Sequence, residues 1–170
     1  MSTASQLPTL QTAFANELKY ELHLTRRLLE RVPNEHFDWR PHPKSLTIGK
    51  LAWHMANLIA FLEVSQRGPE TDIAAVQWPA TATSTDEVLS RFDVTAASVQ
   101  QAVASIEDEQ LHGPWTMRRG EYVIGTMPRT RVLRVLVLNH LIHHRGQLSV
   151  YLRLLDVPVP SIYGPSADEQ

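Results

Sequence analysis

Residues 139–147 read NHLIHHRGQ, in which His140, His143 and His144 interrupt a run that is apolar on both sides. The surrounding residues 129–155 carry the spacing of one long helix. Such a helix advances ~100° per residue, so directions can be counted from His140. Leu133 and Tyr151 then lie at about +20°, Val137 and Leu155 at about +60°, and Leu148 at about +80°. That stripe centres at about +40°, where His144 falls, with His140 beside it and His143 on the edge at about −60°. His140 and His144 are therefore an inward i, i+4 pair. Val135, Leu138 and Ile142 fall on the opposite face, where their apolar character suggests a homodimer contact.

Three further amphipathic segments can pack against this one. Residues 9–31 place Phe14, Leu18, Leu22, Thr25 and Leu29 on one face. The proline-containing stretch VPNEHFDWRPHP (residues 32–43) ends that helix, because proline cannot continue a helix interior. A second helix opens at Thr47, a plausible N-cap, and runs to Gly68-Pro69. Its inward face carries Leu51, Leu58, Phe61, Leu62 and a third histidine, His54. A long loop through Ser84 follows and suits a crossing over the end of a bundle. Residues 84–110 form the third helix, capped by Ser84 or Thr85, with Asp86 and Glu87 at the positive end of its dipole. Val88, Phe92, Val99 and Val103 are its buried stripe. WTMRRGEYVIG (residues 115–125) reads as a short hairpin turning at Arg119-Gly120, and residues 156–170 as a proline-rich tail. The expected fold is all-α, a four-helix bundle in one domain over residues 1–170.

One histidine in a core, bonded to a carbonyl, is ordinary. Two neighbouring buried imidazoles must each find a polar partner, since an unsatisfied buried polar group costs roughly 1–3 kcal/mol. A divalent metal answers His54, His140 and His144 together, and three protein ligands leave coordination positions open for chemistry. Known alternatives fail on residue identity. Leu141 stands where an H-E-x-x-H motif needs its glutamate. Paired E-x-x-H motifs of a di-iron bundle are absent; Glu109/His112 is the single match and sits at a helix end. His23, His36, His42 and His112 fall on polar faces or loops and read as solvated.

Composition excludes other classes. The chain has no cysteine, so no disulfide, thiolate ligand or cysteine nucleophile exists. A net charge of −2 gives no general attraction to nucleic acid. No run approaches the roughly 20 apolar residues of a membrane span, and the N-terminus has no secretory pattern, so a cytoplasmic protein is expected.

The stretches DWRPHPKSLTIGKLAWHMANL, LNHLIHHRGQLSVYLRLLDVPVP and SIYGPSADE resemble the DinB-like superfamily, which includes YfiT-type metal-dependent hydrolases. H-x3-H followed by R-G-Q is the most specific part. The resemblance implies an up-down-down-up bundle with a long crossover and a metal triad that falls on His54, His140 and His144. It also implies nickel or zinc as the metal, and a homodimer. Some relatives transfer low-molecular-weight thiols to electrophiles. Three functions follow as expectations: a thiol-dependent transferase or isomerase acting on a small-molecule substrate, a hydrolase using water, or a non-catalytic metal-binding stress protein. Tyr163, the sole aromatic residue of the tail, is expected to cover the metal pocket and take a catalytic part there.

Overall fold

A computed structural model describes residues 8–169. Helix α1 (Leu10–Leu29) starts where the Thr9 hydroxyl accepts the Thr12 N–H. Phe14, Leu18, Leu22, Thr25 and Leu29 are buried, as their spacing requires. Its chain then turns through a short 3₁₀ segment, Asn34–His36. The carbonyls of Trp39 and Phe37 receive the N–H groups of Ile48 and Gly49, while the Thr47 hydroxyl caps Lys50. Helix α2 (Ile48–Leu58) thus begins with its first donors satisfied. The Phe37 ring presses so closely on Gly49 that a β-carbon there would lie 2.2 Å from it.

The second helix does not run unbroken to Gly68. It stops at Leu58 and resumes as α3 (Phe61–Gln66). Ala60 and Leu62 donate to the carbonyls three residues earlier, so the backbone tightens at this point and changes course without proline or glycine. The third helix also divides. Helix α4 (Thr85–Ser105) is capped by Ser84 and buries Val88, Phe92, Val99 and Val103; α5 (Asp108–His112) restarts on a capping box of Glu107 and Gln110.

Three strands form a small sheet: β1 (Glu70–Asp72), β2 (Pro114–Arg119) and β3 (Tyr122–Pro128). The hairpin β2–β3 is antiparallel, with a bulge at Met117/Arg118, and turns at Gly120, whose φ of +56° suits glycine. Strand β1 adds to β2 in parallel, a pairing the sequence does not announce. Arg129 ties the region together, donating to the carbonyls of Ser65, Gly68 and Pro114.

The last helix is continuous in outline but changes winding: α6 (Arg129–Arg131), a π-helical segment (Val132–Asn139) and α7 (His140–Leu154). Leu133, Val137, Leu148 and Tyr151 are buried, as their spacing requires, and the buried face widens to take in Leu138, Leu141, Arg145 and Leu152. The buried face therefore reaches well past about +100° from His140, and the half-buried His140 and His144 stand at one side of it instead of at its middle. The outward placement of Leu138 is thereby corrected: it is fully buried, and Val135 is left exposed beside a half-buried Ile142. Arg145 lies on the same side and is 1% exposed, because α1 supplies its partners.

Helix α4 packs on α1 and α2, and α7 also packs on both, so α1 and α2 occupy opposite corners of a four-helix bundle. Residues 67–84 make the long crossover. No helix among the described residues is long and apolar enough to cross a membrane.

The proline-rich tail folds back against α1. Helix α7 ends at Leu154; Asp156 beyond it takes a left-handed φ of +57°, and Val157 donates back to the Leu152 carbonyl. Beyond it the chain bends back on itself. Asp168 accepts the Val159 N–H and pairs with Arg153; Glu169 accepts the Ser161 N–H and pairs with Arg27 of α1.

Candidate metal centre

Helix α2 contributes His54, and the first turns of α7 contribute His140 and His144. One nitrogen from each ring lies within 4.8 Å of the others. His140 Nε2 is 2.8 Å from His144 Nε2 and 3.5 Å from His54 Nε2. A tetrahedral ion with nitrogen bonds near 2.0–2.1 Å sets its ligands about 3.3 Å apart, and the observed separations bracket that value. All three rings are half-buried.

The protonation state fits a cation. Burial is the main cause that lowers each imidazole below its ordinary value, and His54, further depressed by His144 and His140, drops to about 4. His140 and His144 are lowered too, with hydrogen bonds to the Leu136 backbone and to Gln147 opposing the shift. Neutral rings offer lone pairs. His144 Nδ1 lies 2.7 Å from Gln147 Oε1, so Nδ1 carries the proton and Nε2 faces the cluster bare. The donor set is three neutral nitrogens with no carboxylate among them, which suits a borderline divalent ion rather than calcium or magnesium.

His143 is exposed, its ring 4.9 Å from that of His144. His23, His36, His42 and His112 are exposed as well and lie outside the cluster.

The structure does not bring Tyr163 to these histidines. Its hydroxyl lies 2.8 and 2.9 Å from the two carboxylate oxygens of Glu21 and also meets Arg145. Arg145 Nη2 is 2.6 Å from Glu21 Oε2, with both side chains almost wholly buried. The expected cover over the metal pocket is corrected accordingly: Tyr163 closes a buried ion pair between α1 and α7. The pull is electrostatic, since a buried carboxylate takes every donor within reach. Desolvation and the Glu21 carboxylate raise the Tyr163 hydroxyl above its ordinary pKa, against the lowering effect of Arg145.

His54 and His140 open instead onto a cavity of about 590 Å³. Trp53, Phe61 and Trp78 supply aromatic walls, Met117 of the hairpin closes one side, and Lys50 and Asn57 add polar groups. Sequence reasoning missed this lining, yet part of it was legible. Lys50, Trp53, His54, Asn57 and Phe61 recur at intervals of three and four, a second stripe beside the apolar one. Asn57 is fixed by donating to the Trp53 carbonyl and accepting from Arg91.

The model of the DinB family matches residues 1–170. Uncharacterized protein YrdA of Bacillus subtilis is 26% identical over 156 residues, covering 92% of this chain and 89% of YrdA. A DinB-like protein from Bacillus cereus superposes with a TM-score of 0.68 at 24% identity, over 88% of this chain and 95% of that one. YfiT from Bacillus subtilis, described as a probable metal-dependent hydrolase with an unusual four-helix bundle topology, gives 0.64 at 10% identity, over 92% and 94% of the two chains. Family model, bundle and histidine cluster agree, and the chain belongs to the DinB family.

Proposed function

We propose that this chain is a metal-dependent enzyme that joins a small thiol to an electrophile. The observation that carries the proposal is the three-histidine cluster on the wall of an apolar cavity that no aspartate or glutamate lines among the described residues. Attack by water calls for a general base, commonly a carboxylate in metallohydrolases. A thiol needs less help, because a thiolate is intrinsically strongly nucleophilic. When bound, a zinc or nickel ion supplies Lewis acidity that lowers the pKa of a thiol or water at the open side of the triad.

The chain's own residues do the rest. Neutral imidazoles present bare nitrogens at neutral pH, and Gln147 holds the His144 ring in the required tautomer. Trp53, Phe61 and Trp78 give an electrophile with an apolar body its contact area. The sulfur forms a bond to the electrophilic carbon, the thiol proton passes to solvent, and any leaving group departs with its electron pair.

A hydrolase is the second reading, favoured by the description of YfiT. The test is turnover of chlorodinitrobenzene with a panel of low-molecular-weight thiols, set beside hydrolysis of activated esters, with and without zinc or nickel. Metal-dependent loss of chloride that requires thiol supports the transferase. Metal-dependent ester hydrolysis without thiol moves the assignment to the hydrolase, and no turnover with metal retained leaves a metal-binding protein.

A further inference from the structure

The cavity beside the histidines is electrically one-sided. Lys50 is the one lysine, arginine, aspartate or glutamate among its lining residues. Lys50 is exposed, and no ion pair among the described residues involves it. The neighbouring groove on the far side of Pro79 and Thr81 differs: Asp86, Glu87 and Arg91 all line it, so both signs of charge are present.

Lys50 sits one helical turn before His54, roughly 6 Å along the axis, with Trp53 between them on the same stripe. Phe61 at the start of α3 and Trp78 of the crossover line the same cavity. A ligand lying along it meets a cation at one end, aromatic surface along its length and the imidazole cluster near its middle. We propose that the cavity selects a small anionic molecule with a flat apolar body, its carboxylate or sulfonate held by Lys50 and its ring by Trp53 and Trp78. This names the substrate class for the site proposed above and rests on that reading for its chemistry, though not for its binding.

Calorimetric titration of the full chain with 2-naphthoate, naphthalene-2-carboxamide and 2-naphthylmethylamine tests the idea. Each titration is run on zinc-loaded protein and on protein stripped with a chelator, because a carboxylate can also bind zinc. The expected order is naphthoate tightest by about tenfold over the amide, with the amine weakest, in both forms. Lys50→Met should erase the naphthoate advantage without weakening the amide, Lys50→Arg should keep it, and Trp53→Leu should weaken both ligands. Equal binding of naphthoate and amide to the stripped protein overturns the proposal, as does an advantage that survives Lys50→Met. If the histidines bind no metal, the stripped-protein result stands unchanged, so that failure is separable from this one.

Discussion

His144 carries two functions in one ring: Nε2 faces the cluster and Nδ1 is held by Gln147. Removing the ring removes one of three ligands, so His144→Ala should abolish stoichiometric metal in elemental analysis of untagged protein. Gln147→Leu keeps the ligand but frees its orientation, and metal affinity should fall roughly 10–100-fold, the usual effect of losing a group behind a ligand. Arg145 is a different kind of residue. Replacing it with Met leaves the buried Glu21 carboxyl without its ion-pair partner, and should cost about 3–5 kcal/mol in urea unfolding. Tyr163→Phe removes only the hydroxyl that Glu21 accepts, and Tyr163 is 61% exposed. About 1.5 kcal/mol is expected, the low end for a hydrogen bond to a charged group, with metal content unchanged. A Tyr163→Phe protein that folds normally but loses its metal would return Tyr163 to the centre.

Two elements owe their position to contacts that a helix pattern does not contain. The start of α2 is seated by Phe37 lying where a side chain at residue 49 would be. Gly49→Ala should therefore destabilise by about 1–3 kcal/mol, the range for overpacking, measured by denaturant midpoint. The tail depends on Asp168 and Glu169. Hydrogen bonding to Arg153 holds Asp168 below 3.8, and the Ser161 N–H holds Glu169 below 4.5. A carboxylate with a depressed folded pKa stabilises fully above its unfolded value and loses that contribution as pH falls through the folded value. The tail should thus stay clasped at pH 5 and loosen below about pH 4, seen as faster amide exchange at Val159 and Ser161. Unchanged protection at pH 3 would mean that the prolines and Ile162 packing, not the carboxylates, hold it.

At the scale of the molecule, the metal site is built on a bundle that does not need it. The core joins all four bundle helices through apolar side chains such as Leu18, Met55, Phe92 and Leu148, each almost fully buried. The histidines lie to one side of that core. Chelation should therefore leave the far-ultraviolet circular dichroism essentially unchanged while lowering Tm, and added zinc should raise Tm in a concentration-dependent way. Unfolding on chelation, as in domains whose fold is their metal site, would contradict this separation.

Much was determined by the sequence alone, because much is local. Helix periods, the Thr47 and Ser84 caps, the hairpin glycine and the three imidazoles on two helices all follow from spacing and side-chain chemistry within a few turns. The burial of Arg145 does not, since its partner Glu21 lies 124 residues away and a charge is stable inside only when the pair is complete. For the same reason the buried face of the last helix extends further round than its apolar spacing shows, Leu138 looked exposed, and Tyr163 looked free to reach the metal. The break at Ile59–Ala60 and the parallel pairing of β1 with β2 are likewise decided by packing. Local pattern sets which residues form each element; which face is buried waits on the partner that satisfies its polar groups.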